Sequence, residues 1–258
     1  MDGKRGKVVC MTNLHSGLVD MLGLRIVRGD YPPGTRIDVD SLEPEFGVSK
    51  TAIREALRVI REKGLIDSWP KRGTIVNDRN AWKLLDSDVI MWRRSARRDD
   101  DRLLAELSQL RDVIEPAAAK LAAQYRKPED IEALRRSFAE FEMAGHDVER
   151  LAAADQDFHL HLLRATHNEL MMRLDVVIVH ALNARNRIQH HPGAAWLDPV
   201  PDHRRVLDAV EAGDPQAAEA AMKYAIRESD VDLTSGEPVF DEPVARPSFS
   251  TDGSTARQ

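Results

Sequence analysis

One short segment, residues 47–63, limits most strongly what this chain can fold into. Ser49 precedes a run of apolar residues at helical spacing, and its hydroxyl can accept a hydrogen bond from a free N–H of the first turn. The apolar positions form one stripe: Ile53, Ala56, Leu57 and Ile60. The segment therefore predicts a capped amphipathic helix that buries one face and exposes the other.

The exposed face of this helix is basic. Lys50, Thr51 and Arg54 crowd its first turns, and Arg58 follows one turn later. Helix-turn-helix proteins place such a helix in the DNA major groove, where Arg and Lys donate to guanine and a Thr methyl contacts thymine. Any one of these side chains is as easily a solvated surface charge, so the prediction of DNA contacts rests on the four together.

The flanking segments complete a known pattern. Residues 39–46 resemble a short helix, Gly47 supplies a turn, and two short strand patterns, 64–69 and 74–76, enclose a turn signal at 70–73. We expect a winged helix-turn-helix with a small β-hairpin wing. Arg72 and Gly73 lie at the wing tip, where a basic side chain suits a narrow minor groove or phosphates.

Charge and composition bound the remainder. The chain has 258 residues and a net charge of −6. Residues 1–85 carry 15 Lys and Arg against 11 Asp and Glu, whereas residues 86–258 carry 22 against 32, so the basic half coincides with the predicted DNA-binding helix. No apolar run approaches the roughly 18 residues of a membrane span, and no signal peptide is evident, so we expect a cytoplasmic protein without membrane contact.

The chain divides into five segments of different pattern, and the whole is expected to be mainly α. Helical spacing continues from residue 88 to residue 232 without a strand pattern, which predicts an all-α bundle suited to effector binding and dimerisation. The segments are a flexible basic arm (1–12), the winged helix-turn-helix domain (13–76), an apolar connector (77–87), the helical domain (88–232) and a tail (233–258) expected to be disordered.

Three residues of the helical half could bind a metal ion. Asp155 and His159 are four positions apart on one apolar helix face, and the apolar residues that follow His203 at helical spacing turn it inward as well. One carboxylate and two imidazoles can form a facial site with open coordination positions. Hydrogen-bonded core histidines would give the same pattern, and both interpretations stand at this point.

Arg111 lies on an apolar stripe formed with Leu107, Ile114 and Ala118. A buried guanidinium needs an anion. Glu115, one turn on, could be a structural partner, or a ligand carboxylate could be held in a bidentate manner. The pattern alone does not distinguish the two.

Two sets of motifs resemble a known family. Residues 48–57, 63–66 and 72–74 resemble the DNA-binding domain of GntR regulators, and Leu110–Pro116, Asp155–His159 and Asp202–Arg204 resemble the FCD effector domain of one of its subgroups. The resemblance implies a homodimeric bacterial repressor, not an enzyme, that binds a double-stranded DNA operator. It also implies a carboxylate effector at Arg111 and a divalent metal ion, preferably zinc, at Asp155, His159 and His203.

The chain departs from the family pattern at two positions. Lys50 stands where Arg is usual, and Ala225 stands where the last helix usually supplies a fourth, histidine ligand. Ala cannot coordinate, so at most three protein ligands are expected unless His180 compensates. Effector oxygens or water could fill the remaining positions, or the metal could be lost.

Residues 80–92, which begin in the connector and run beyond it, resemble the corresponding segment of sugar-acid-responsive members, so an aldonate is the preferred effector. Asn183 and Arg187 are the expected partners for its hydroxyls. Other readings remain. The chain could respond without metal to a hydroxy acid or an acyl-coenzyme A, it could be a metal-dependent enzyme that uses Asp155, His159 and His203, or it could be an architectural DNA binder.

Overall fold

A computed structural model describes residues 6–96, 101–189 and 198–231. Its N-terminal part contains three helices and a small antiparallel sheet in the order β1-β3-β2. The elements are α1 (Gly6–Arg28), β1 (Arg36–Ile37), α2 (Val39–Phe46), α3 (Lys50–Glu62), β2 (Ile66–Trp69) and β3 (Gly73–Val76). Helix α1 thus begins within the segment assigned to the basic arm. The third strand, β1, is an addition to the expected hairpin.

Helices α2 and α3 form the expected helix-turn-helix. Gly47 ends α2 in the left-handed conformation, with φ of 64°, and its N–H bonds to the carbonyl of Glu43. Two residues later the Ser49 hydroxyl caps α3 by accepting from the N–H of Ala52. Ile53, Ala56, Leu57 and Ile60 are buried in the N-terminal core, so the turn and the cap fix the direction in which the exposed face of α3 points.

The N-terminal packing unit extends further than the sequence indicated. Helix α4 (Ser87–Ala96) was assigned to the helical domain, yet its Val89 and Trp92 are buried in the same core as α1 and α3. The Trp92 indole N–H donates to Asp20 at 3.0 Å, and its ring lies against Gly23. By this packing α4 lies with the N-terminal core, and the domain boundary at residue 88 stays a prediction.

The connector before α4 is held in place, as its apolar residues led us to expect. Trp82 packs on the N-terminal core, and its indole N–H donates to the carbonyl of Asn77. Lys63, at the end of α3, forms ion pairs with Asp86 at 2.9 Å and Asp88 at 2.7 Å. These contacts join the connector to the recognition helix.

The C-terminal part is wholly helical in the described ranges. Helix α5 is central, because it packs against α7, α9, α10 and α11, and α6 covers α7 and α10. The helices are α5 (Asp101–Tyr125), α6 (Pro128–Ala144), α7 (Val148–Ala165), α8 (Glu169–Met172), α9 (Asp175–Gln189), α10 (Val200–Ala212) and α11 (Pro215–Val231). The expected tail lies outside the described residues. Among the described helices, none is both long and apolar enough to cross a membrane.

Candidate metal centre and nucleic-acid interface

The predicted base-reading residues lie on the exposed side of α3. Lys50, Thr51 and Arg54 occupy its first two turns and are all exposed, as is Arg58. Lys50, Thr51 and Arg54 thus lie exposed at the N-terminal end of the helix, next to the Ser49 cap. This is the end that enters the major groove in helix-turn-helix proteins.

Two of these basic residues already have acidic partners. Lys50 is 2.6 Å from Asp40 and 3.7 Å from Glu43 on α2, and Arg58 bridges Glu55 and Glu62 on its own helix. Exposed ion pairs of this kind contribute little free energy, so DNA phosphates or bases can replace them at small cost. They also hold the side chains in an ordered arrangement beforehand.

The wing tip is built by a tight turn between β2 and β3. The Arg72 N–H donates to the Trp69 carbonyl at 3.2 Å, and the Arg72 side chain is exposed. Gly73 has φ of 81°, and a Cβ added there would lie 2.7 Å from Nε of Arg36 on β1. Gly73 therefore serves the shape of the wing, and Arg72 is exposed at its tip, where a DNA contact is predicted.

Asp155 and His159 on α7 meet His203 on α10 in the interior of the helical domain. All three side chains are buried. The distance from Asp155 Oδ1 to His203 Nε2 is 3.1 Å, from His159 Nε2 to His203 Nε2 is 3.3 Å, and from His159 Nε2 to Asp155 Oδ1 is 3.6 Å. One carboxylate oxygen and two imidazole nitrogens thus face a common point.

These distances fit a metal centre. Donor atoms about 2.1 Å from one ion lie about 3.0 Å apart at a right angle and about 3.4 Å apart at a tetrahedral angle. Asp155 Oδ1 is buried and has no hydrogen-bond partner among the described residues, although His203 Nε2 is close. An ion between these three atoms would give this buried oxygen a partner, so the residues present fit the group that the family resemblance implied.

The atoms behind the three donors orient them. His203 Nδ1 donates to the Pro199 carbonyl at 2.9 Å, and Phe141 and Phe158 pack against its ring. His159 Nδ1 lies 2.9 Å from Glu115 Oε2, where a carboxylate favours a proton on that nitrogen. Both imidazoles can therefore turn an Nε2 lone pair to the centre, which is the usual arrangement behind metal-binding histidines.

The charged side chains around the three donor atoms shift one another's pKa values. Burial opposes ionisation of His159, but Glu115 and Asp155 outweigh it and raise the pKa of His159 to about 9. Burial also opposes the charge of Asp155, yet Arg185 and the two histidines hold the pKa of that carboxyl well below its usual range. Without metal, the raised pKa of His159 favours its positively charged imidazolium form, whose charge takes the place of that of an ion.

Arg111 is buried and forms a direct ion pair with Glu115, in which Arg111 Nε lies 2.7 Å from Glu115 Oε1. Burial opposes the charge of Glu115, but Arg111 and His159 hold the pKa of this carboxyl far below its usual range. The contact agrees with the structural alternative for Arg111. It places the guanidinium behind His159, one residue removed from the three donor atoms.

Arg185 on α9 is a site residue that the sequence analysis missed. Its NH2 donates to Asp155 Oδ2 at 2.6 Å, so the other carboxylate oxygen is left to face the centre. The sequence could have identified it by the same pattern as Arg111, because Arg185 follows Ile178 and Leu182 at helical spacing on one buried stripe.

Two further α9 residues that the sequence suggested for the site, Asn183 and His180, are not brought to it. Asn183 is exposed and, two residues from Arg185, projects from the other side of the helix, so it is not brought to the centre. The side chain of Arg187 lies outside the described residues. His180 does not compensate for Ala225: its Nε2 lies 2.9 Å from Ser87 Oγ on α4. Burial and the nearby Arg94 lower the pKa of His180.

A winged helix-turn-helix joined to a helical domain with a buried Asp-His-His cluster defines a DNA-binding regulator with a candidate ligand-sensing domain. Comparisons with known proteins agree. The chain matches the model "Bacterial regulatory proteins, gntR family" over residues 14–76 and the FCD domain over residues 106–228. It belongs to the GntR family of transcriptional regulators and has the FCD type of C-terminal domain.

Two curated relatives carry specific names. The chain is 32% identical to the galactonate operon transcriptional repressor of Escherichia coli, over 82% of this chain and 93% of that protein. It is 30% identical to the probable D-xylose utilization operon transcriptional repressor of Paenarthrobacter nicotinovorans, over 84% and 88%. Because these relatives and both domain families are regulators, the prediction that the chain is not an enzyme is confirmed.

The fold also matches that of a solved regulator. The structure of Lar, which controls the Listeria monocytogenes agr system, has a TM-score of 0.58 and 18% identity to this chain. The match covers 85% of this chain and 95% of that one. At this identity the likeness supports the fold alone.

Proposed function

We propose that the chain is a repressor whose operator binding is controlled by a small carboxylate, preferably a sugar acid, held at a metal centre in its helical domain. The observation that carries this proposal is the buried triad of Asp155, His159 and His203, whose donor atoms have the separations expected of three ligands to one ion. We further propose that it acts as a homodimer, with one α3 in each half of a palindromic operator.

The triad would hold a divalent metal ion, and zinc suits its donor set of two imidazoles and one carboxylate. When bound, the ion supplies a Lewis-acid centre with open positions for oxygen ligands. Ala225 stands at the position of the usual fourth ligand, so this chain leaves those positions to water or effector. An aldonate offers a carboxylate and an adjacent hydroxyl, two oxygens of the preferred kind.

The choice of a sugar acid draws on the relatives as well as on the site. The E. coli relative is named for a galactonate operon and covers most of this chain. Arg185 and Arg111, with their acidic partners, place two buried guanidinium groups around the centre. Both groups are already paired with protein carboxylates, so we place the ligand carboxylate at the open positions of the metal ion rather than on these arginines.

Helix α9 gives the centre a physical route to the DNA-binding part. Arg185 on α9 holds Asp155, and His180, less than two turns earlier, contacts Ser87 on α4. Trp92 of α4 is buried in the winged-helix core. An effector that binds two arrangements of α9 unequally would shift the population of DNA-competent dimers, because coupling needs only such a difference in affinity.

Thermal denaturation tests this proposal. We expect galactonate or gluconate with zinc to raise the midpoint of unfolding, because a ligand at a hundred times its Kd adds about 2.7 kcal/mol to the free energy of unfolding. A chelator should remove this rise. His203→Ala should abolish the response, whereas His161→Ala, which removes an imidazole on α7 outside the triad, should keep it. A rise that resists chelation, or one seen only with lactate or an acyl-coenzyme A, would contradict the metal-assisted sugar-acid sensor.

A further inference from the structure

A groove separates the recognition helix α3 from the wing. It has a volume of about 300 Å³, and its polar lining is Arg54, Arg58 and Arg61 on the helix side and Ser68 and Thr74 on the wing side, with the apolar Val39 and Leu57 also lining it. The three arginines are four and three residues apart, so they follow one line over about 10 Å of helix. Ser68 and Thr74 are direct partners across β2 and β3. The groove thus has one cationic wall and one hydroxyl wall.

Two of the three guanidinium groups have no ion pair in the part of the chain that the structure describes and need no exchange of partners to meet a ligand. Arg58 is committed to Glu55 and Glu62. Neither Arg54 nor Arg61 takes part in an ion pair within the described ranges, and both are exposed. The groove therefore carries an uncompensated positive charge, and Arg61, at the far end of α3, contributes half of it.

The hydroxyl wall can donate a hydrogen bond. Ser68 Oγ and Thr74 Oγ1 are 3.1 Å apart, and either can be the donor. A hydroxyl pair with one internal hydrogen bond retains one free hydrogen. An acceptor between the arginines and this pair would therefore be met by donors from both walls, which is how a tetrahedral oxyanion is bound.

We infer that this groove binds a phosphate of the DNA backbone, with Arg61, Ser68 and Thr74 as its contacts. The inference rests on the proposed operator binding and adds a site to it. A recognition helix in the major groove and a wing in the adjacent minor groove straddle the sugar-phosphate strand that divides them. The strand must therefore pass through the space between α3 and the hairpin, where the charge and the hydroxyls are found.

This assignment divides the basic residues of α3 by role. Lys50 and Thr51 at the N-terminal end are placed for base edges, whereas Arg61 lies about three turns away, beside the wing. Phosphate contacts fix the position on the duplex without reading its sequence. Arg61 should thus contribute equally to every duplex, whatever its sequence.

Fluorescence anisotropy with full-length protein tests the inference, using two labelled duplexes: one selected by the protein from a random pool and one of arbitrary sequence. Arg61→Gln should weaken both about equally, roughly tenfold near 0.1 M salt, and reduce the slope of log K against log salt by about 1. Thr74→Val should weaken both in the same proportion. Arg28→Gln, an exposed arginine at the end of α1 outside the groove, should leave the slope unchanged.

The other outcomes separate the claims. A loss confined to the selected duplex would show that Arg61 reads bases, and an unchanged slope would show no phosphate contact; either overturns the inference. Stronger competition by sodium phosphate than by sodium chloride at equal ionic strength, lost in Arg61→Gln, would support an oxyanion contact in this groove. Wild-type protein that binds neither duplex would remove the proposed function itself.

Discussion

At the scale of single residues, the buried charges of the helical domain are the feature that simple packing does not explain. Arg111, Glu115, His159, Asp155 and Arg185 form one continuous chain of contacts in the interior. Burying so many ionisable groups costs free energy unless each is paired. Their retention is accounted for if the chain of contacts exists to position donor atoms for a metal ion.

Glu115→Gln tests that account at one residue. The substitution keeps the shape of the side chain but removes the charge beside His159 Nδ1, and loss of such an outer partner lowers metal affinity about 10- to 100-fold. Zinc affinity would be measured by competition with a chromophoric chelator, after circular dichroism has confirmed folding. Asp157→Asn removes an exposed carboxylate from the same helix and should leave the affinity unchanged. Equal affinity in the wild type and Glu115→Gln would contradict the role given to Glu115.

Residue spacing predicted part of this centre. The four-residue spacing of Asp155 and His159 and the apolar residues after His203 turned all three inward, and the structure brings them together. The roles of Glu115 and Arg185 were not deducible in the same way, because they depend on which helices become neighbours. Asn183 is exposed for a related reason: the face of α9 that packs on α5 and α7 depends on how the helices assemble, which local spacing does not determine.

At the scale of elements, caps and turns made the DNA-binding part predictable. Ser49 and Gly47 act locally, so α3 begins where the sequence indicated. Strand β1 has two residues and exists only through its pairing with β3, which no local pattern reveals. The helical spacing of apolar residues predicts one continuous helix over residues 168–190. The structure instead has two helices, α8 and α9, separated between Met172 and Asp175.

Helix α4 supplies a prediction at this scale. A Cβ added to Gly23 would lie 2.6 Å from the Trp92 ring, which is held by its bond to Asp20. Gly23→Ala should therefore lower the free energy of unfolding by about 1–3 kcal/mol in urea titrations, as overpacking does. Gly17→Ala, on the same helix with open space around its Cβ, should instead gain up to about 1 kcal/mol of helix propensity. Equal effects would mean that α4 does not pack on α1 as described.

At the scale of the whole molecule, two features bear on the proposed control of DNA binding by an effector. The excess of basic residues lies in the first 85 positions, so attraction to DNA is concentrated in the winged domain. Helix α4 is buried in that domain and also reaches the helical one, through Ser87 to His180 and through Arg93 to Glu106 at 2.9 Å. The proposed coupling thus has a continuous set of contacts to act through, from Asp155 to the winged domain by way of α9 and α4.

The most direct test of this account is the affinity of the protein for a duplex that it selects from a random pool, measured by anisotropy with added zinc while galactonate or gluconate is titrated. We predict that one of these acids weakens DNA binding at least fivefold, the lower range of typical coupling between sites, and that a chelator or His203→Ala removes this effect without changing DNA affinity in the absence of acid. DNA affinity that no acid alters, or an effect that persists without metal, would contradict metal-assisted control of operator binding.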